Sequence, residues 1–208
     1  MAEVSNKRNL PLWLKVAFTA WLAVWVPAYW VEYGWQNFLW TCDAANFVVL
    51  AALWLESPLL IASQAVSVLV ISSLWVVDFG AALLFGTHPI GGTEYMFDPA
   101  KPLATRLLSL FHVVVPILLL WCIRRMGYDR RGWRLQVAII WLLLLATHRW
   151  TEPAKNINWQ WLPFGIDPPI LPPAWILPVS MLAMPVVLYL PTHAALVAWS
   201  RKFGRYHE

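Results

Sequence analysis

Long apolar runs alternate with short polar segments along this chain, at about 12–31, 36–55, 59–85, 104–123, 133–149 and 174–199. Each approaches the roughly 20 residues that a helix needs to cross about 30 Å of hydrocarbon. The pattern predicts an all-α, polytopic integral membrane protein with six transmembrane helices in a single domain. Trp13, Tyr29, Trp30, Trp54, Trp133, Trp150 and Trp199 fall near the ends of the runs, as in the aromatic belts of membrane interfaces. The third run exceeds the required length, so its helix is expected to tilt or to end in an interfacial turn at Gly86.

Two connections are longer than the rest. Residues 86–103, "GTHPIGGTEYMFDPAKPL", predict an ordered loop or a short interfacial helix. Residues 150–173 hold six Pro together with Trp150, Trp159 and Trp161, a composition that resists helix and suits a lid over the mouth of a bundle. Neither an internal repeat nor a second domain is visible.

Composition strengthens the membrane reading. Of 208 residues, 60% are hydrophobic and 12% charged, against about a quarter charged in soluble domains. The first residues are polar and no small-residue cleavage site follows the first run, so no cleaved signal is expected. Cys42 and Cys122 both lie inside apolar runs and form no disulfide framework.

The net charge of +4 sets topology. Eleven basic residues (Lys7, Arg8, Lys15, Arg124, Arg125, Arg130, Arg131, Arg134, Arg201, Lys202 and Arg205) fall on one side of a six-span arrangement. Four (Lys101, Arg106, Arg149 and Lys155) fall on the other. The positive-inside rule then puts both termini in the cytoplasm. Basic residues gathered at span ends make no nucleic-acid stripe. Membrane lipids are the expected partners, and sixteen Trp also suit pigments, quinones or partner subunits of a larger membrane assembly.

The candidate chemistry follows from this topology. Entering from outside, the second run carries Thr41, Cys42 and Asp43 roughly 8–12 Å below the outer boundary. Asp78 precedes the outer end of the third run, His112 follows the outer start of the fourth, and His148 ends the fifth. Intramembrane ionisable groups are costly and face the bundle interior. An outward-opening pocket lined by Cys42, Asp43, Asp78, His112 and His148 is therefore expected, whereas the inner half offers only Gln64, Ser67 and His193.

A nucleophile, a base and an orienting carboxylate make the generalised triad. Thr41 or Cys42 supplies the first, His112 the second, and Asp43 or Asp78 the third, with Asn156, Asn158 or backbone amides to hold an oxyanion. Structural alternatives stand beside each role. His112 could bond across helices to Asp43 or Asp78 as glue, Asp78 could pair with Arg106, Cys42 could be a small buried hydrophobe, and Thr41 could bond its own backbone. His112, His148, Asp43 and Asp78 could also ligate a metal, but no closely spaced His pair supports it. "PIGGTEY" lacks the Lys and helix of a phosphate loop. No metal and no cofactor is expected.

Three segments resemble a known family. "NFLWTCDAANFVVL" is similar to the second-span motif of the androgen-induced and androgen-dependent TFPI-regulating proteins, in which an aromatic-Leu pair, a Thr and an Asp follow one another. "LFHVVVPILLL" resembles that family's histidine segment, and "WLLLLATHRWTEPAKNINWQWLPFG" its fifth-span signature. The family comprises six-span membrane threonine hydrolases of fatty-acid esters of hydroxy fatty acids, with YwaF-type bacterial membrane proteins related in layout. The resemblance implies a catalytic role for His112, with Asp43 and His148 at the matching positions; aligned on Phe38-Leu39 and Asp43, the family's Thr falls at Trp40, next to Thr41 and Cys42. "TEPAKNINW" resembles bacterial membrane proteins, which implies a bacterial inner membrane. The expected function is a membrane-embedded lipid-ester hydrolase or acyltransferase. The alternative is a non-enzymatic integral membrane subunit of a larger complex.

Overall fold

The computed structural model describes residues 10–202 together with 206 and 207. Lys7, Arg8 and Arg205 of the expected cytoplasmic basic set lie outside the described residues. The architecture is helical, and local chemistry marks its boundaries. Helix α1 (Leu12–Tyr33) starts after Pro11 and stops at Gly34, whose φ of 79° needs a residue without a side chain. A 3-10 turn over Trp35–Leu39 follows, and α2 spans Thr41–Leu55. The second helix therefore begins five residues later than the apolar run that starts at 36. Helix α2 ends at Glu56, in the left-handed region at φ 49°, where the Glu56 carboxylate accepts from the Leu10 backbone and pairs with Lys15.

Helix α3 (Pro58–Phe85) is capped by the Ser57 hydroxyl, which accepts from Leu60 N at 3.3 Å, with Pro in the first turn where no N–H is needed. It ends at Gly86 with φ 68°. A short helix α4 (Leu103–Leu108) runs through a turn into α5 (Phe111–Met126). Helix α6 spans Gly132–Trp150. The last helical stretch comprises α7 (Pro173–Ala183), a π-helical segment over Met184–Tyr189, and α8 (Leu190–Arg201). Pro185 and Pro191 each lack the N–H of a regular i→i−4 ladder, which fits a local change of helical pitch. Strand β1 (Tyr128–Asp129) pairs in parallel with β2 (Tyr206–His207).

Four helical stretches are long and apolar enough to cross a membrane: Leu12–Tyr33, Pro58–Phe85, Leu103–Met126 and Pro173–Arg201. Helix α2, with 15 residues, extends only about 22 Å. Helix α6 has 19 residues but carries Arg134, Gln136, His148 and Arg149. The helix surfaces match an apolar solvent. Val31, Leu84 and Phe85 are 87%, 77% and 76% exposed, and so large an accumulation of bare hydrocarbon is not a water-facing surface. These are the properties of a membrane protein.

Helix α3 is the hub, packed against α2, α5 and α6. Where α6 meets it, a Cβ on Gly132 would lie 2.6 Å from Ala62 Cβ and 2.8 Å from Ser63 N, so only glycine permits that approach. Nearby, Gln136 donates to Ser67 Oγ (2.9 Å) and accepts from Gln64 (3.2 Å), which also donates to Ser63 Oγ (3.0 Å). Trp25, fully buried, packs edge-on to Phe38, Phe47 and Phe111 and ties α1 to α2 and α5.

Candidate functional site

At the end of the bundle that holds the start of α2, the helices diverge around a cavity of about 400 Å³. Asn37, in the 3-10 turn, donates to Asp43 Oδ2 at 2.6 Å. Asp43 and Cys42 thus sit in the first turn of α2, shallower in the helix than a start at residue 36 implies, and both line the cavity. A carboxylate in a first helical turn is well placed against the positive end of the helix dipole.

Helix α5 contributes His112. Its Nδ1 is 2.8 Å from the Ser109 carbonyl oxygen, one turn back. A carbonyl only accepts, so the neutral ring carries its proton on Nδ1 and presents Nε2 as an acceptor. The imidazole stacks on Trp75 of α3 at 4.6 Å and 8° and on Phe111 at 4.1 Å, which holds the ring plane. Ser109 also bonds Tyr29 through its hydroxyl. Tyr95 accepts from Trp75 Nε1 at 3.2 Å, and burial pushes the Tyr95 phenol up, so it stays a neutral wall of the cavity. Tyr33 also lines the cavity, its hydroxyl without a hydrogen-bond partner among the described residues and Lys101 4.8 Å above its ring. Lys101 pairs with Glu32 at 3.1 Å.

Three of the six predicted site residues line this cavity: Cys42, Asp43 and His112. Thr41 does not. Its backbone N–H and its hydroxyl both donate to Asn158 Oδ1, each at 2.9 Å. Asn158 thereby caps α2 from the distant loop and also donates to the Leu39 carbonyl (2.7 Å) and Thr147 Oγ1 (3.1 Å). Asp78 is likewise engaged in scaffolding. Its Oδ1 accepts from Ile90 N (2.7 Å) and Gly91 N (3.1 Å), and its Oδ2 accepts from the Thr93 hydroxyl. The carboxylate pins the 88–93 loop over the cavity instead of orienting His112. Arg106 turns to the Met96 carbonyl at 2.7 Å. His148 is exposed and stacks on Trp161 at 4.8 Å.

The predicted oxyanion donors are occupied as well. Asn156 donates to Leu162 O and accepts from the Trp161 and Leu162 amides. The Pro/Trp-rich loop contacts the cavity through Trp159, which packs edge-on to Trp40 at 6.1 Å. Gln36 fastens the loop's start with two bonds to Glu152, both 2.9 Å. Asn156, Asn158 and Trp159 hold φ of 44°, 52° and 53°, and left-handed backbone at non-glycine residues persists only where surrounding bonds enforce it.

No hydrogen bond between side chains joins Cys42, Asp43 and His112 among the described residues, and no group of three His, Cys, Asp or Glu there could hold a metal ion. The aromatic and cationic wall formed by Tyr29, Tyr33, Trp75, Tyr95 and Lys101 is not marked by polar positions within the apolar runs. Tyr29 and Tyr33, four apart and hence on one face of α1, were the available signal. No family model, curated protein or solved structure matches the chain.

Proposed function

We propose that this protein is a six-span membrane protein, with both termini cytoplasmic, that acts on lipid esters as a hydrolase or acyltransferase from a cavity open to the outer leaflet. A bacterial inner membrane is its proposed location. One observation carries the chemical reading: Cys42 and His112 line the same cavity, and His112 has Nδ1 committed to Ser109 and Nε2 left as a base. The short resemblance to the androgen-induced family supports the same assignment of His112. Thr41, with its hydroxyl bonded to Asn158, is the weaker nucleophile of the pair.

In this reading the Cys42 thiol gives its proton to His112 Nε2 as sulfur attacks the ester carbonyl. The oxyanion accepts from the unpartnered Tyr33 hydroxyl, and the departing alkoxide recovers the proton from His112. Water, or an acceptor alcohol, then attacks the thioester by the reverse route and restores the thiol. The test is capture of an acyl group from an alkyne-tagged palmitoyl ester by the protein in lipid nanodiscs. A hydroxylamine-labile label on Cys42 is expected, absent in Cys42→Ala and slowed by about 10²–10⁴-fold in His112→Ala.

A second reading is favoured by the missing Cys42–His112 hydrogen bond: a non-enzymatic subunit whose cavity holds a lipid or quinone for a partner assembly. Absence of acylation at Cys42, or acylation equally fast in His112→Ala, would support that reading and exclude the first.

A further inference from the structure

Beside the cavity, a second, more open concavity of about 650 Å³ lies between α3, α5 and α8. On α3, Ile71 and Trp75 face the cavity, Val70 and Val77 face the groove, and Leu74 belongs to both walls. Leu74 is 41% exposed, so it is not a fully packed partition between the two. Apart from Ser73, Thr192 and the Trp199 indole, the side chains lining the groove are aliphatic. The hydroxyls it contains, on Ser73 and Thr192, donate to the Leu69 and Leu188 carbonyls of their own helices at 2.7 and 2.6 Å. Such a lining suits a hydrocarbon occupant. On α5 the groove reaches Leu120, eight residues or roughly 12 Å past His112 in the direction of Arg124. Along α3 the groove (Leu69 to Val77) and the cavity wall (Ile71 to Trp75) share one stretch of helix, so the polar cavity and the hydrocarbon channel lie side by side and meet at Leu74, as a head and a chain laid beside it require.

We propose that the groove holds the hydrocarbon chain of a membrane amphiphile whose head lies in the Cys42–His112 cavity, and that Leu74 is the gate through which the head passes sideways from the bilayer. The inference rests on the lipid reading of the cavity. It adds where the chain lies and how the ligand arrives, and it makes the substrate a single-chain or splayed amphiphile already dissolved in the membrane.

Two photoreactive palmitic acids test it, with a diazirine either at the chain terminus or beside the carboxyl group, each added to the full-length protein in phosphatidylcholine nanodiscs. Labelled peptides are mapped by mass spectrometry. The terminal diazirine should mark Val70, Val77 and Leu120, and the carboxyl-proximal one should mark cavity residues such as Tyr33. Leu74→Trp should lower cavity labelling several-fold while Leu74→Ala preserves it. Because the wild-type map alone tests the site, a variant that fails to fold does not block the result. Terminal labels confined to the cavity would overturn the groove and gate while leaving the lipid reading intact. Labels spread evenly over lipid-facing residues such as Leu84 and Leu142, with none enriched in the groove, would also overturn them. No labelling of cavity or groove would overturn both proposals.

Discussion

At the scale of the residue, the same side-chain types serve opposite ends according to what lies within 3 Å. Asp43 and Asp78 are both buried carboxylates, yet one accepts from Asn37 inside a cavity and the other from two loop amides and a hydroxyl. Asp78→Ala would leave those amides without an acceptor, at a cost of about 2 kcal/mol or more. Hydrogen exchange at Ile90 and Gly91 should accelerate, and unchanged protection would contradict the role. Asn46 makes a different prediction. It is fully buried one turn beyond Asp43, and neither amide atom has a partner among the described residues. Asn46→Leu should therefore raise the melting temperature, by removing an unsatisfied polar group of about 1–3 kcal/mol. A fall would mean that the amide holds a water or ligand. Ionisable residues stand out in apolar runs, and Cys42, Asp43 and His112, which line one cavity, are of that kind. Thr41 and Cys42 differ by one step of about 100° around the helix, and the sequence does not reveal where that helix starts.

At the scale of the element, the apolar runs located the helices, but not the devices that join them. The 3-10 turn of Trp35–Leu39, with Gln36 and Asn37, is no more polar than residues 41–46 at the start of the helix it precedes, so hydropathy alone merges the two. Gln136 and Tyr189 did not stand out in the inner half, although they meet Gln64 and Ser67 in one polar cluster; α6 is polar enough for a Gln to pass unnoticed. The tightest joint is Gly132 against α3. Gly132→Ala should destabilise the protein by about 1–3 kcal/mol, since backbone on α3 must move to admit the methyl group. Thermal unfolding in detergent measures this, and an unchanged melting temperature would contradict the packing. The loop of residues 150–173 shows the same limit. Its Pro content announced a non-helical segment, but nothing in it announced that Asn158 would cap α2.

At the scale of the whole molecule, four helices carry the membrane assignment by length and apolarity; the proposed six spans rest on the apolar runs and their proposed orientation on the distribution of Lys and Arg. A single cysteine at Ala100→Cys, in a background lacking Cys42 and Cys122, should react with an impermeant maleimide added outside intact cells. Lys202→Cys should react only after permeabilisation, and the reverse pattern would invert the topology. The central claim is that the cavity between α1, α2, α3 and α5 holds a lipid. Native mass spectrometry of the protein released from membranes in mild detergent tests it most directly, comparing wild type with Ile71→Trp, whose added bulk fills a wall of the cavity. One retained lipid or fatty acid per chain in the wild type, lost in Ile71→Trp, is the predicted result. An empty wild-type chain, or the same lipid occupancy in both proteins, would contradict it.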